Sequence, residues 1–96
     1  MKKTNDQTLG EAIQELIQTY RLEDKLNQAR LIKSWDSVTG EMISKHTEKL
    51  FVKGSKLYVK LDSDALKNEL LYARTKLIKM LNDSVKSEII TEIVFL

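Results

Sequence analysis

The sequence has no cysteine and no proline, and only one histidine, one tryptophan and three glycines among its 96 residues. Without cysteine the chain has no disulfide framework, no thiolate zinc site and no thiol nucleophile. The longest apolar runs, such as residues 93–96, are too short to cross a bilayer, and the polar start predicts no signal peptide. We therefore expect a cytoplasmic protein with no membrane partner.

Signatures of enzymes are missing as well. The sequence contains none of the motifs of phosphate-binding loops, dinucleotide-binding folds, zinc peptidases or serine hydrolases. His46 has no second imidazole with which to share a metal ion, and catalysis by His46 would need a base or nucleophile that the sequence does not show. We expect no enzyme, no metal, no cofactor and no small-molecule substrate, with an enzyme built on His46 as the least favoured alternative.

The size and composition predict a single globular domain. Two separate cores would each be too small to be stable, and 42% hydrophobic residues are enough for one core. The first seven residues are polar and are predicted to be frayed or disordered, which places the domain at residues 8–96.

Apolar residues in the first part of the chain recur at intervals of three and four, as in amphipathic helices. A first helix is predicted to start at Thr8, and a second helix is predicted after a break at residues 21–22. The apolar stripe of the first helix comprises Leu9, Ala12, Ile13, Leu16, Ile17 and Tyr20, and that of the second comprises Leu26, Ala29, Ile32 and Trp35. Gly40 suits the left-handed position beyond a helix end.

The period changes to two at residues 48–61, where apolar residues alternate with lysines on either side of Gly54-Ser55. This pattern predicts a β-hairpin with a two-residue turn. A third, long helix, capped by Asp62 or Ser63, is predicted to run to about Asn82, and a last strand is predicted at about residues 89–95. The predicted fold class is α+β, in the order α-α-β-β-α-β, with helices on one face of a three-stranded mixed sheet.

Strand alternation turns six residues of the hairpin to the face that the helices leave open: Lys49, Phe51, Lys53, Lys56, Tyr58 and Lys60. Residues 45–60 hold five lysines and one acid, Glu48, a net charge of +4 in a chain of net charge +2. Single-stranded nucleic acid needs cations along its backbone and aromatic rings under its bases. The same pattern is also typical of an ordinary solvated sheet face, on which lysines protect an edge strand and aromatic residues pair across strands for stability.

The chain resembles the DciA-type domain. The resemblance covers about Leu9 to Phe95 and is carried by an ordered set of residues: Trp35, Val38, Gly40, Ile43, His46, Thr47, Leu50, Gly54, Leu57, Val59, Leu66, Glu69 and Leu70. It implies a KH-like domain of a bacterial replication factor that associates with the replicative DNA helicase, assists its loading and binds DNA. Trp35, Gly40, His46 and Thr47 are then family hallmarks that we expect to hold the helix-to-hairpin junction in shape.

We therefore predict a non-enzymatic accessory protein of DNA replication. It would be an adaptor or loader for the replicative helicase, and would bind single-stranded DNA or RNA weakly through the six residues of the open sheet face. One alternative is a protein–protein interaction module that uses the first helix or the exposed side of the third, where Leu71 and Ile78 lie off the main stripe. Another is an RNA-binding KH-like domain with no role in replication.

Overall fold

A computed structural model of the chain describes residues 7–96. The segment predicted to be frayed, residues 1–7, lies outside the described residues except for Gln7. In chain order the elements are α1 (Leu9–Thr39), α2 (Glu41–Lys45), β1 (Thr47–Lys53), β2 (Lys56–Leu61), α3 (Asp64–Tyr72), α4 (Arg74–Val85) and β3 (Glu92–Phe95). The predicted α+β class is confirmed: helical segments precede a hairpin and the last strand, and the three strands form one mixed sheet.

The three strands form one mixed sheet in the order β1-β2-β3. β1 and β2 are antiparallel, and β3 lies parallel to β2. Gly54 is the first residue of the hairpin turn and has φ +63°, a conformation that glycine adopts without strain. Leu50 pairs with Val59 across the hairpin, and Leu57 pairs with Ile93 in β3, so these side chains share the inner face of the sheet.

The core lies between this inner face and the helices. Its buried members are Leu31, Trp35, Leu57, Val59, Leu70, Leu77, Leu81, Ile90 and Ile93. Burying each such side chain contributes roughly 1.5–3 kcal/mol to folding. Within residues 7–96 no polar or charged residue is buried, so every charged group remains at the surface.

α1 is a single helix of 31 residues, and the predicted break at residues 21–22 is wrong. Arginine and leucine are both good helix formers, so nothing at that point ends the helix. The unbroken helical phase brings Leu31 and Trp35 into the core. Leu26 and Ala29, which were predicted on the buried face with Trp35, are exposed instead.

The predicted third helix is divided in two at Ala73, whose φ of −96° and ψ of 8° separate α3 from α4. Of the two caps that the sequence allowed, Asp62 and Ser63, the structure has Ser63, whose Oγ accepts a hydrogen bond from the Leu66 N–H at 3.3 Å. The predicted end at about Asn82 is three residues early, because α4 continues to Val85. Neither proline nor glycine marks the division at Ala73, and the sequence carries no signal for it.

The side chain of Asn82 binds the backbone just before β3. Its Oδ1 accepts hydrogen bonds from the N–H groups of Ile89 and Ile90 at 3.0 and 3.1 Å, and its Nδ2 donates to the Ile90 carbonyl at 2.8 Å. These backbone groups are therefore bound to α4 and not to the sheet. β3 covers only residues 92–95 of the predicted 89–95, because Glu92 pairs with Lys56, the first residue of β2, and the residues before Glu92 have no strand beside them.

The described chain is elongated, measuring 61 × 21 × 21 Å, because the first two thirds of α1 extend away from the core. All residues from 9 to 26 are exposed. Although α1 is long, no helix in residues 7–96 combines enough length and apolarity to cross a membrane.

Candidate nucleic-acid interface

The hairpin register brings all six residues predicted to bind nucleic acid to the outer face of the sheet. They form three direct cross-strand pairs, which are Lys49 with Lys60, Phe51 with Tyr58, and Lys53 with Lys56. An aromatic pair thus lies between two lysine pairs, all facing away from the core. We call these six residues the outer face. Their binding to nucleic acid stays a prediction.

The two rings of the outer face are stacked on each other, with centroids 5.0 Å apart and planes 8° from parallel. Each ring therefore covers one side of the other and leaves its opposite side for other contacts. Tyr58 is half-buried and has Val94 of β3 as its next neighbour, whereas Phe51 lies on the edge strand and is 40% exposed. A base that extends the stack would accordingly meet the Phe51 ring.

Ion pairs divide the four lysines of the outer face into two kinds. Lys56 Nζ lies 3.4 Å from Glu92 Oε2, and Lys60 Nζ lies 3.8 Å from Glu48 Oε1. Lys49 and Lys53 have no acidic partner within ion-pair distance among residues 7–96. The two lysines without an acidic partner therefore flank the more exposed ring, all on β1.

Trp35 and Thr47 connect the helices to the hairpin. The Trp35 side chain is almost completely buried, and its Nε1–H donates a hydrogen bond to Thr47 Oγ1 at 3.1 Å. The same hydroxyl donates to the Ile43 carbonyl at 2.8 Å. One hydroxyl thus joins α1, α2 and the first residue of β1, and it satisfies the only polar group of the buried indole.

Gly40 and His46 lie at the two ends of α2. Gly40 has φ +92°, a backbone conformation in which a side chain is strained, and its N–H donates to the Asp36 carbonyl at 2.9 Å. His46 Nδ1 lies 2.6 Å from Asp62 Oδ1; because a carboxylate only accepts hydrogen bonds, Nδ1 carries the hydrogen. The Asp62 N–H in turn donates to the His46 carbonyl at 3.0 Å. The structural role of the four hallmark residues stays a prediction.

The sequence profile of the family described as Dna[CI] antecedent, DciA matches residues 8–95, nearly the whole chain. The chain belongs to the DciA family. The resemblance on which the sequence analysis relied is thereby confirmed. The DciA family consists of replication accessory proteins associated with the loading of the replicative helicase DnaB. No curated protein matched the sequence.

Three acidic residues of this DciA domain contact the predicted site residues, although the sequence analysis assigned none of them to the site. Glu48 and Glu92 pair with lysines of the outer face, and Asp62 pairs with His46. Glu92 comes within reach only through the parallel register of β3, which local periodicity does not predict. Glu48 lies at a β-bulge between Thr47 and Lys49, where the simple alternation of the strand is interrupted.

The chemistry offered by the outer face is charge and aromatic stacking. Among residues 7–96 no group of three or more histidine and acidic side chains is arranged to hold a metal ion. His46 and Asp62 are each about two fifths exposed, and Asp62 is the single carboxylate within ion-pair distance of the imidazole in the described chain. The pair is open to solvent and lies at the junction of α2 and the hairpin.

Replacing Thr47 by valine tests whether the indole hydrogen bond stabilises the junction. The substitution keeps the side-chain shape but leaves the buried Trp35 N–H without its acceptor, which costs about 1–3 kcal/mol. We expect urea denaturation to show a free energy of unfolding lower by that amount. Thr19→Val is the control, since Thr19 is an exposed α1 threonine whose hydroxyl bonds only to the carbonyl of Glu15, four residues earlier. An equal effect of the two substitutions would contradict this role.

Proposed function

We propose that this chain is a non-enzymatic accessory protein of DNA replication. In this proposal it acts in the cytoplasm as an adaptor or loader for the replicative helicase and binds single-stranded nucleic acid weakly through the outer face. Membership of the DciA family supports the helicase role. The nucleic-acid role is supported by the geometry of the outer face.

The main support for nucleic-acid binding is that lysines lie directly opposite lysines on both sides of the aromatic pair. Like charges directly opposite each other destabilise a sheet, and these exposed side chains add no core packing in return. When a polyanion is bound, the four lysines become stabilising, because its phosphates attract all four ammonium groups. Its bases would stack on the aromatic pair, each contributing roughly 1–3 kcal/mol.

A merely solvated sheet face explains only part of this arrangement. Lysines on an edge strand discourage pairing with other chains, which accounts for Lys49 and Lys53 on β1. β2 is the central strand of the sheet, so protection of an edge does not account for Lys56 and Lys60. These two lysines pair with Glu92 and Glu48, but Lys49 and Lys53 opposite them have no acidic partner among residues 7–96, so a net positive charge remains on the outer face. We therefore favour the binding surface over the solvated face.

Replacing Lys49 and Lys53 together by alanine is expected to weaken binding to a fluorescent oligothymidine, measured by anisotropy at several salt concentrations. Each phosphate contact adds about 0.7 to the slope of log K against log salt for single strands. Loss of two contacts should make the slope shallower by about 1.4. The control is Lys33→Ala with Lys76→Ala, which removes two exposed lysines of α1 and α4. Equal losses in the two variants, or no binding at low salt, would refute the nucleic-acid role.

Replacing Glu48 and Glu92 together by glutamine should have the opposite effect. The substitution frees Lys60 and Lys56 from their ion pairs, and we expect binding to the same oligonucleotide to become several-fold tighter at low salt. Asp83→Asn with Glu88→Gln removes the same number of charges from the α4 end of the domain and serves as the control. The proposal predicts a clearly smaller gain in affinity for the control than for the Glu48 and Glu92 variant. An equal gain in affinity would mean that only the net charge of the chain matters.

The helicase role is tested separately with purified proteins. We expect the immobilised chain to retain the replicative helicase of its own organism after nuclease treatment. The variant with alanine at positions 49 and 53 should retain the helicase equally well, because this test does not depend on the outer face. Retention that disappears with nuclease, or no retention at all, would contradict a direct adaptor role.

A further inference from the structure

α1 carries an apolar surface that nothing in the described chain covers. The surface, which we call the α1 stripe, consists of Leu9, Ala12, Ile13, Leu16, Ile17 and Tyr20. Its five large side chains are between 43% and 78% exposed. Packing of an apolar face provides most of the stability of helices in proteins. A row of large apolar side chains in water therefore indicates a surface that another molecule covers.

The α1 stripe continues the side of the helix that enters the core. Tyr20 and Leu31 are eleven residues apart, which is close to three full turns at 3.6 residues per turn. The stripe and the buried pair Leu31 and Trp35 therefore lie along one side of α1. The part of that side with Leu31 and Trp35 packs against the sheet and α4, whereas the part with the α1 stripe extends beyond the domain.

The residues of the α1 stripe follow one another at the same intervals whether the helix is read forwards or backwards. Reversal about the point between Gln14 and Glu15 exchanges three pairs, which are Leu9 with Tyr20, Ala12 with Ile17, and Ile13 with Leu16. Two antiparallel α1 helices around a twofold axis at this point would place every stripe residue against another stripe residue. Such self-complementarity is what a twofold-symmetric interface requires.

The line of contact between the two helices, which we call the seam, contains no charged residue, and charged residues follow directly after it. At 100° per residue, Glu11 and Glu15 lie on the opposite side of the helix from the stripe. Glu23 and Asp24 return to the stripe side just beyond Tyr20, where burial of their carboxylates would be costly. Two copies can therefore pack along residues 9–20 without bringing like charges together, and no farther.

We propose that a second copy of this chain covers the α1 stripe, in an antiparallel dimer of α1 helices. In this arrangement Thr8 of one copy lies opposite Arg21 of the other. The first turn of each α1 is therefore ten residues away from Leu31 of the other copy, and it does not reach that copy's core. The two sheet domains lie at opposite ends of the dimer. The seam is about 18 Å long, at 1.5 Å per residue. Interfaces of such small size, below about 1,200 Å² in total, are weak, so the dimer is reversible.

Sedimentation velocity over a wide concentration range tests the dimer with the full chain. We expect the mass to rise from the 11.1 kDa of one chain towards twice that value as concentration increases. Leu16→Glu places a charge in the centre of the seam and should weaken association at least tenfold. Leu22→Glu is the matched control, because Leu22 is an even more exposed α1 leucine on the other side of the helix. Circular dichroism verifies that both variants keep the helical content.

Each outcome of this comparison decides the proposal. Dimerisation that Leu16→Glu removes and Leu22→Glu preserves supports it. A chain that stays monomeric at all concentrations overturns it and leaves the stripe to a different protein. Dimerisation that neither substitution changes, or that both abolish equally, also overturns it, because the seam would then lie elsewhere.

Cross-linking tests the antiparallel direction, since the chain has no cysteine of its own. Leu9→Cys and Tyr20→Cys chains are mixed and treated with a short bismaleimide. In the antiparallel dimer these two positions face each other, so the mixture should give more cross-linked dimer than either variant alone. Parallel helices would instead cross-link each variant to itself, and that result would overturn the proposed arrangement.

Discussion

The pleat of the β1–β2 hairpin is the constraint on which the rest of the structure depends. Successive side chains point to opposite faces, so a register that buries Leu57 and Val59 must turn Tyr58 and the lysines beside it to the outer face. The two-residue turn at Gly54 sets this register, and a slip by one residue would exchange the core face with the charged face. The apolar core and the basic, aromatic outer face are therefore two results of one alternating sequence pattern.

Local patterns predicted the features that depend on local geometry. Alternation over residues 48–61 placed the hairpin and its outer face correctly, and cap residues at 62–63 predicted the start of α3 to within one residue. Features that depend on distant contacts were missed. The pairing of Glu92 with Lys56 needs the parallel register of β3, and the bonds of Asn82 to the backbone before β3 join residues seven and eight apart. Periodicity also does not distinguish a buried apolar stripe from an exposed one, because both have the same spacing.

The domain offers two surfaces of different chemistry. The outer face is basic and aromatic and lies on the sheet, whereas the α1 stripe is apolar, bordered by acidic residues and extended away from the core. Interaction with a polyanion and with a protein can therefore take place at separate sites. Between them, the indole of Trp35 and the hydroxyl of Thr47 join the helix that carries the stripe to the strand that carries Phe51. This junction sets the relative position of the two surfaces.

The central claim is that the outer face, and not the helices, contacts single-stranded nucleic acid. Titrating an oligothymidine into the isotope-labelled chain at low salt, and following backbone amide shifts by NMR, tests this most directly. We expect the largest shift changes at β1 and β2, centred on Phe51 and Tyr58, with α1 from Leu9 to Tyr20 unchanged. Shift changes concentrated on α1 or α4, or no changes at low salt, would contradict the claim.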